Sequence, residues 1–304
     1  MTGTVFKSTG SWYWVSLGRK ELVKCRLRGK IKLEEKKITN PIAVGDLVDV
    51  VQQENGDFII TSISPRKNYV VRSSPRKKGF SHLLAANVDQ AVLLASLKQP
   101  RTSLGFIDRF FVTLEAFRIP GMLIINKMDI YDEEEKIYAE ALVSVYKSLG
   151  YPGLLISAVE DSLDDVRKAI AGRITLLSGH SGTGKSTLVN KLVPKAAQKV
   201  QEISSFADKG VHTTTFAEMF KVSDNTHIID TPGIKELGLA EIERDELSHY
   251  FPEMRKLLGQ CRFHNCLHVN EPGCAMLEAL EKEEILPSRF ESYLSMLAGE
   301  DNRR

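Results

Sequence analysis

The sequence predicts a multi-domain chain: a β-barrel of the OB type, an α/β domain built around a phosphate-binding loop, and a small α-helical metal-binding tail. Three observations carry this. Residues 1–65 hold short strand-like stretches separated by single glycines. From residue 80, apolar strand patterns alternate with helix patterns, and Gly179-His180-Ser181-Gly182-Thr183-Gly184-Lys185-Ser186 lies at one strand-to-helix junction. Near the end, Cys261, Cys266, His268 and Cys274 crowd together. The expected boundaries are 1–65 for the barrel, 66–79 for a basic linker, 80–238 for the α/β domain and 239–304 for the tail.

In the barrel, strands are expected at 11–17, 21–27, 46–51 and 57–63, with Gly18, Gly29, Gly45 and Gly56 between them. Their count and length fit a small closed barrel. Cys25 lies on an alternating strand and reads as a core residue. Trp12 and Trp14 share one face with Ser16; stacking on bases and packing against protein both suit them. The stretch that follows carries Arg66, Lys67, Arg72, Arg76, Lys77 and Lys78 without one acid, a composition able to lie along phosphates.

The α/β domain is expected to have strands at 88–97, 121–126, 154–156, 173–178, 216–222 and 226–229, and helices at 107–117, 133–149, 163–171 and 185–192. Ile107, Phe110, Phe111, Leu114 and Phe117 share one helix face. Such alternation implies a mostly parallel sheet with helices packed on it. After Gly233 the sheet pattern stops, and 241–258 and 274–297 read as helices flanking the Cys/His cluster.

At 304 residues, 42% hydrophobic and 26% charged, the chain has the make-up of a soluble protein with two or three cores. No apolar run approaches a membrane span, and Met1-Thr-Gly-Thr-Val-Phe-Lys7 lacks a signal-peptide core, so a cytoplasmic monomer away from membranes is expected. One isolated and three clustered cysteines suggest a metal site and not a disulfide framework. The net charge of +2 hides an asymmetry: residues 1–78 carry 16 Lys/Arg against 7 Asp/Glu, the remainder 25 against 32. A basic front end points to a polyanionic partner such as nucleic acid, or simply to a solvated face.

The glycine-rich motif matches G-x-x-x-x-G-K-[ST], with Thr187 next. Its glycines let the backbone N–H groups and the helix N-terminus face an anion. Lys185 would reach the β/γ-phosphates, and Ser186 would place a hydroxyl on Mg²⁺. Asn126-Lys127-Met128-Asp129 follows a strand directly. An aspartate there can accept from two guanine donors that adenine lacks, which argues against an ATP-driven enzyme, while Asn126 and Lys127 brace the loop. Ser157-Ala158 follows the next strand and could offer a backbone N–H to the guanine O6. Asp230-Thr-Pro-Gly233 ends another strand; Asp230 would hold Mg²⁺ through water and the Gly233 N–H would sense the γ-phosphate. Among Thr213-Thr214-Thr215, Thr214 is assigned to Mg²⁺ in the triphosphate state, with Thr213 the runner-up. Cys261-x4-Cys266-x-His268-x5-Cys274 supplies three thiolates and an imidazole for a closed, structural zinc site, His264 being a rival ligand by proximity.

The order of these motifs is informative. A GTPase ordinarily reads phosphate loop, threonine switch, Asp-x-x-Gly, Asn-Lys-x-Asp, Ser-Ala; here the last two come first. A cyclic shift preserves the sheet when the old termini lie close. With Gly210-Val-His-Thr-Thr-Thr215 and the Cys/His spacing, the whole chain resembles the ribosome small-subunit-dependent GTPase A family: circularly permuted GTPases with an OB-fold in front and a zinc domain behind. The resemblance implies a GTP hydrolase acting late in 30S subunit assembly, binding 16S rRNA, stimulated by the 30S subunit, and holding one zinc ion through His268 and not His264. It also implies a role for His212. The residue after Gly233, where a Ras-type enzyme carries its water-positioning glutamine, is Ile234, which cannot orient water. The histidine ahead of the threonines is the family's candidate substitute, with Lys185 and Thr214 completing the catalytic set; a plain switch-loop hydrogen bond is the other reading of His212. His180, inside the phosphate loop, needs no catalytic role. The alternative function is an RNA-binding anchor with a slow guanine-nucleotide switch in a non-ribosomal complex.

Overall fold

Alternating burial builds the front of the chain. In the computed structural model, which describes residues 1–18, 21–29, 40–73, 81–193, 217–230 and 242–299, five strands close on one apolar core. They are β1 (Thr2–Ser8), β2 (Tyr13–Ser16), β3 (Val23–Leu27), β4 (Leu47–Gln52) and β5 (Phe58–Ile63). They pair in the order β1-β2-β3-β5-β4, and a β4–β1 pairing shuts the barrel. Val5, Tyr13, Val15, Val48, Val50 and Ile60 fill it together with Cys25, whose thiol burial pushes up to about 11, an unreactive core thiol. The first strand is absent from the expected set. Its neighbours Val5 and Phe6 point to opposite faces and both find apolar partners: Val5 lies in the barrel core, and Phe6 packs on the α/β core with its ring 5.4 Å from His227. A strand covered on both faces shows no polar alternation.

The stretch expected to be a linker contains a strand. β6 (Tyr69–Ser73) pairs antiparallel with β7 (Ser81–Ala86) as a separate two-stranded sheet. Two of the basic residues assigned to phosphates are engaged here: Arg66 forms a two-pronged pair with buried Asp46 at 2.7 and 2.9 Å, and Lys67 pairs with Asp89 at 3.1 Å. Gly45 lets this sheet approach the barrel; at φ +92° a Cβ would stand 2.0 Å from the Ala86 carbonyl oxygen. Arg76, Lys77, Lys78 and the Arg72 side chain lie outside the described residues.

The α/β domain follows the expected alternation. Parallel strands β8 (Gln90–Ala95), β9 (Gly121–Ile125), β10 (Gly153–Leu155), β11 (Ile174–Ser178) and β13 (Thr226–Asp230) run in the order β10-β9-β8-β11-β13, with β12 (Glu218–Ser223) antiparallel beside β13. Helices α1 (Leu104–Ala116) and α2 (Glu133–Ser148) cover one face of the sheet, α3 (Asp164–Ile170) and α4 (Lys185–Leu192) the other. β12 also pairs with β1, so one eleven-stranded sheet runs from this domain into the barrel.

The tail departs from expectation. Instead of one helix over 241–258, the described part holds a 3-10 turn (Leu247–Tyr250) and the short α5 (Pro252–Arg255); instead of one over 274–297 it holds α6 (Ala275–Glu281) and α7 (Pro287–Leu297). Pro252 and Pro287 each open a new helix, because proline lacks the N–H that a continuing helix needs but suits the first turn. Phe251, Met254, Met276, Phe290, Tyr293 and Met296 form the core, and Val112 of α1 joins it from the α/β domain. Arg289 of α7 is buried with two carboxylates, at 2.7 Å from Glu253 and 2.6 Å from Asp108 of α1.

Candidate functional site

The loops at the carboxyl ends of the parallel strands meet on one edge of the sheet, where open α/β sheets bind ligands. Asn126, buried at the end of β9, is the joint between three of them. Its amide nitrogen donates to the Thr183 carbonyl at 2.8 Å, and its amide oxygen accepts from the Ala158 N–H at 2.8 Å. One side chain thus ties Asn126-Lys-Met-Asp129, Ser157-Ala158 and the phosphate loop together. Gly184 must be glycine for this: at φ +99° its Cβ would stand 2.3 Å from the Asn126 nitrogen.

Within the phosphate loop Ser181, Gly182, Ser186 and Thr187 are exposed, while His180 and Thr183 are buried. Thr183 caps the loop from inside, its hydroxyl donating to the His180 carbonyl at 2.9 Å. Lys185 folds back onto the loop, donating to the carbonyls of Gly179 at 2.5 Å and His180 at 2.6 Å. Burial pulls this ammonium below the usual lysine range, with Asp230 at the end of β13 opposing the shift; burial pushes the Asp230 carboxyl up, with Lys185 opposing. Gly179 crosses so close to β8 that a Cβ would meet the Leu94 carbonyl at 2.2 Å. This curled, glycine-dependent cradle, with Ser186 exposed at the start of α4, fits a Mg²⁺-bound nucleotide.

In the base loop Lys127 is left-handed at φ +72° and its ammonium donates to the Gln99 carbonyl. Met128 leans on the core below, and Asp129 is exposed in the 3-10 turn that follows. The amides expected to serve the guanine O6 are occupied: Ala158 donates to Asn126, and Ser157 to the Asp161 carboxylate at 2.6 Å. His212, Thr213, Thr214, Thr215, Gly233 and Ile234 lie outside the described residues.

Sequence reasoning passed over the segment between β8 and α1. In this segment the Gln99 carbonyl meets the base loop and Pro100 lies beside Gly182 of the phosphate loop, and Phe106 packs tilted against His180 with ring centroids 4.0 Å apart. No motif marks these residues; only the proximity of α1 to the phosphate loop reveals them.

The metal cluster is formed as expected. Cys261, Cys266, His268 and Cys274 bring their ligand atoms within 4.8 Å of one another. The Cys261 and Cys274 sulfurs are 3.9 Å apart, and the His268 Nδ1 is 3.5 and 3.4 Å from them. Tetrahedral zinc with bonds of about 2.3 Å to sulfur and about 2.0 Å to nitrogen needs spacings of roughly 3.8 and 3.5 Å. The residues fit zinc, and they leave no fifth position for chemistry. His264 is exposed and outside the cluster. Glu271, a residue the sequence reading missed, braces the knuckle: its carboxylate accepts from the N–H groups of Leu267, Val269 and Asn270 at 2.8, 2.7 and 3.0 Å. Burial raises this carboxyl, but the backbone donors outweigh it and hold it at about 2.

Residues 63–240 match the RsgA GTPase model and residues 2–60 the RsgA N-terminal domain model. The chain belongs to the RsgA GTPase family. It is 51% identical over 310 residues to the small ribosomal subunit biogenesis GTPase RsgA of Cytophaga hutchinsonii, covering 100% of both chains. It is 47% identical over 298 residues to that of Bacteroides fragilis strain YCH46, covering 98% of this chain and 96% of the other. Among solved structures it resembles YjeQ from Thermotoga maritima (TM-score 0.77, 33% identity, 100% and 99% coverage) and YloQ, a circularly permuted GTPase (TM-score 0.74, 29% identity, 100% and 96% coverage). The RsgA fold accounts for the motif order: an OB barrel, a circularly permuted GTPase domain and a Cys/His metal cluster.

Proposed function

We propose that this chain hydrolyses GTP to GDP and phosphate, and that the 30S ribosomal subunit, bound through 16S rRNA, stimulates the reaction late in that subunit's maturation. The observation that carries the GTP reading is Asn126, whose buried amide fixes the base loop and the phosphate loop as one unit. Asp129 is the acceptor for the guanine N1–H and exocyclic amine. Lys185 leaves the loop carbonyls for the β/γ-phosphate oxygens, which are the stronger acceptors. Mg²⁺, when bound, neutralises phosphate charge; Ser186, Thr214 and Asp230 would hold it. Gly233 senses the γ-phosphate, and His212 positions the attacking water in place of the missing glutamine.

The barrel supports the RNA half. On its outer face Lys24 lies 4.0 Å and Arg26 4.1 Å from the Trp12 ring centroid, and Lys7 and Lys24 each lie 5.8 Å from that of Trp14. Cations over half-exposed indoles form a platform suited to phosphates and unstacked bases. Among the described residues no helix is long and apolar enough to cross a membrane; a cytoplasmic, monomeric protein fits ribosomal work.

The test is turnover against added 30S, 50S and 70S particles. Strong stimulation by 30S subunits is expected, and an equal rate with and without them would refute the ribosomal reading. His212→Ala should abolish most of the stimulated rate while leaving GTP affinity nearly unchanged.

A further inference from the structure

The segment Ser96 to Thr102 touches the base loop and the phosphate loop at once. It is closed on itself: the Ser96 N–H donates to the Thr102 hydroxyl at 3.1 Å, the Thr102 N–H returns to the Ser96 carbonyl at 2.8 Å, and the Ser96 hydroxyl donates to the Pro100 carbonyl at 2.7 Å. Pro100 lies under the phosphate loop, where a Cβ on Gly182 would come within 3.2 Å of its ring. The next carbonyl back, Gln99, takes the Lys127 ammonium of the base loop, and Lys98 pairs with Glu135 of α2 at 2.5 Å.

Tyr131 locks this brace to the base loop. Its buried hydroxyl donates to the Asn126 carbonyl at 2.7 Å and accepts from the Leu97 N–H at 2.7 Å. A phenol is one donor and an acceptor, so both capacities are used, one on the buried Asn126 carbonyl and one on the half-buried Leu97 N–H. Asn126 is therefore held at its side chain by two loops and at its carbonyl by Tyr131, which the brace holds in turn.

We propose that Tyr131 is a positioning residue for guanine recognition: through the Ser96–Thr102 brace it sets the height of Asp129 relative to the phosphate loop, and so the fit of the base's N1–H and 2-amino edge. This rests on the guanine-nucleotide reading above. Tyr131→Phe keeps the ring and deletes the bridge. Calorimetric titration with GDP and with IDP, which lacks the 2-amino group, reads the result. GDP affinity should fall about fivefold, in line with a lost buried hydrogen bond, and IDP affinity by about twofold or less, so that the preference for GDP narrows. Ser96→Ala loosens the brace by deleting its hydroxyl bond to the Pro100 carbonyl, without touching the ring, and should act in the same direction; it carries the test if Tyr131→Phe does not fold. A merely structural tyrosine would lower the melting temperature and leave both affinities and their ratio unchanged in both variants, which would overturn the inference. Absence of any GDP-over-IDP preference in the unmodified protein would instead overturn the base-site reading, and this inference with it, before any substitution is made.

Discussion

On one side of the GTPase domain the barrel is attached through backbone: β1 pairs with β12, and the Gly45 turn presses against the Ala86 carbonyl. On the other side the tail is attached through buried side chains, with Arg289 of α7 bridging Glu253 in the tail and Asp108 of α1, which also accepts from the Tyr146 hydroxyl at 2.5 Å. A strand ladder is indifferent to most side chains. A buried ion cluster depends on every member, because removing one leaves the others charged and dry. One oxygen of Asp108 already has no hydrogen-bond partner among the described residues. Apart from Phe6, whose ring packs on the α/β core, the barrel seam should thus tolerate side-chain changes that the tail seam does not.

The contrast can be broken at its strongest point first. Stripping zinc, or Cys266→Ala, removes folding energy of roughly 10 kcal/mol or more in structural sites. Hydrogen exchange should show α6 and α7 losing protection while GDP binding and the barrel persist; unchanged protection after chelation would mean that packing alone holds the tail.

Next comes Arg289→Met, which strands Asp108 and Glu253 and should cost about 3–5 kcal/mol in urea unfolding. The triple change Asp108→Leu, Glu253→Leu, Arg289→Met should recover most of that loss. A single variant as stable as the parent would show the cluster to be dispensable.

At the barrel seam Gly45→Ala adds only a methyl group, yet it forces a left-handed residue against a carbonyl and should cost about 1–3 kcal/mol. Thermal unfolding of the variant checks this. The smallest effect is expected from Lys7→Met, which deletes the partly exposed pair with Glu218 at 3.1 Å. It should cost below about 1 kcal/mol, less in high salt. A larger loss from Lys7 than from Gly45 would reverse the account of the barrel seam.

Legibility followed the same division. The phosphate loop, the base loop and the Cys/His cluster were readable because each is a short contiguous stretch whose chemistry requires particular residues at fixed spacing. Thr2–Ser8 was hidden because Val5 and Phe6 are covered by different units, which erases the alternation that betrays a strand. The tail helices are shorter than the apolar pattern predicts, because that pattern continues across Pro252 and Pro287 while the prolines restart helices there. Tyr131, one residue past the base-loop turn, has no neighbours in sequence that explain it.

By itself the sequence determined that a nucleotide cradle, a guanine-type loop and a metal knuckle exist, and that they occur in permuted order, since those features depend on local spacing and on the turns that glycine permits. The tertiary structure decided how they act on one another. Asn126 meets Thr183 across 57 residues, and Arg289 meets Asp108 across 181. No periodicity records such pairs. They arise only when the sheet order sets strand ends side by side, as for Asn126, or when helices of two domains pack together, as for Arg289, and burial makes each polar group find a partner.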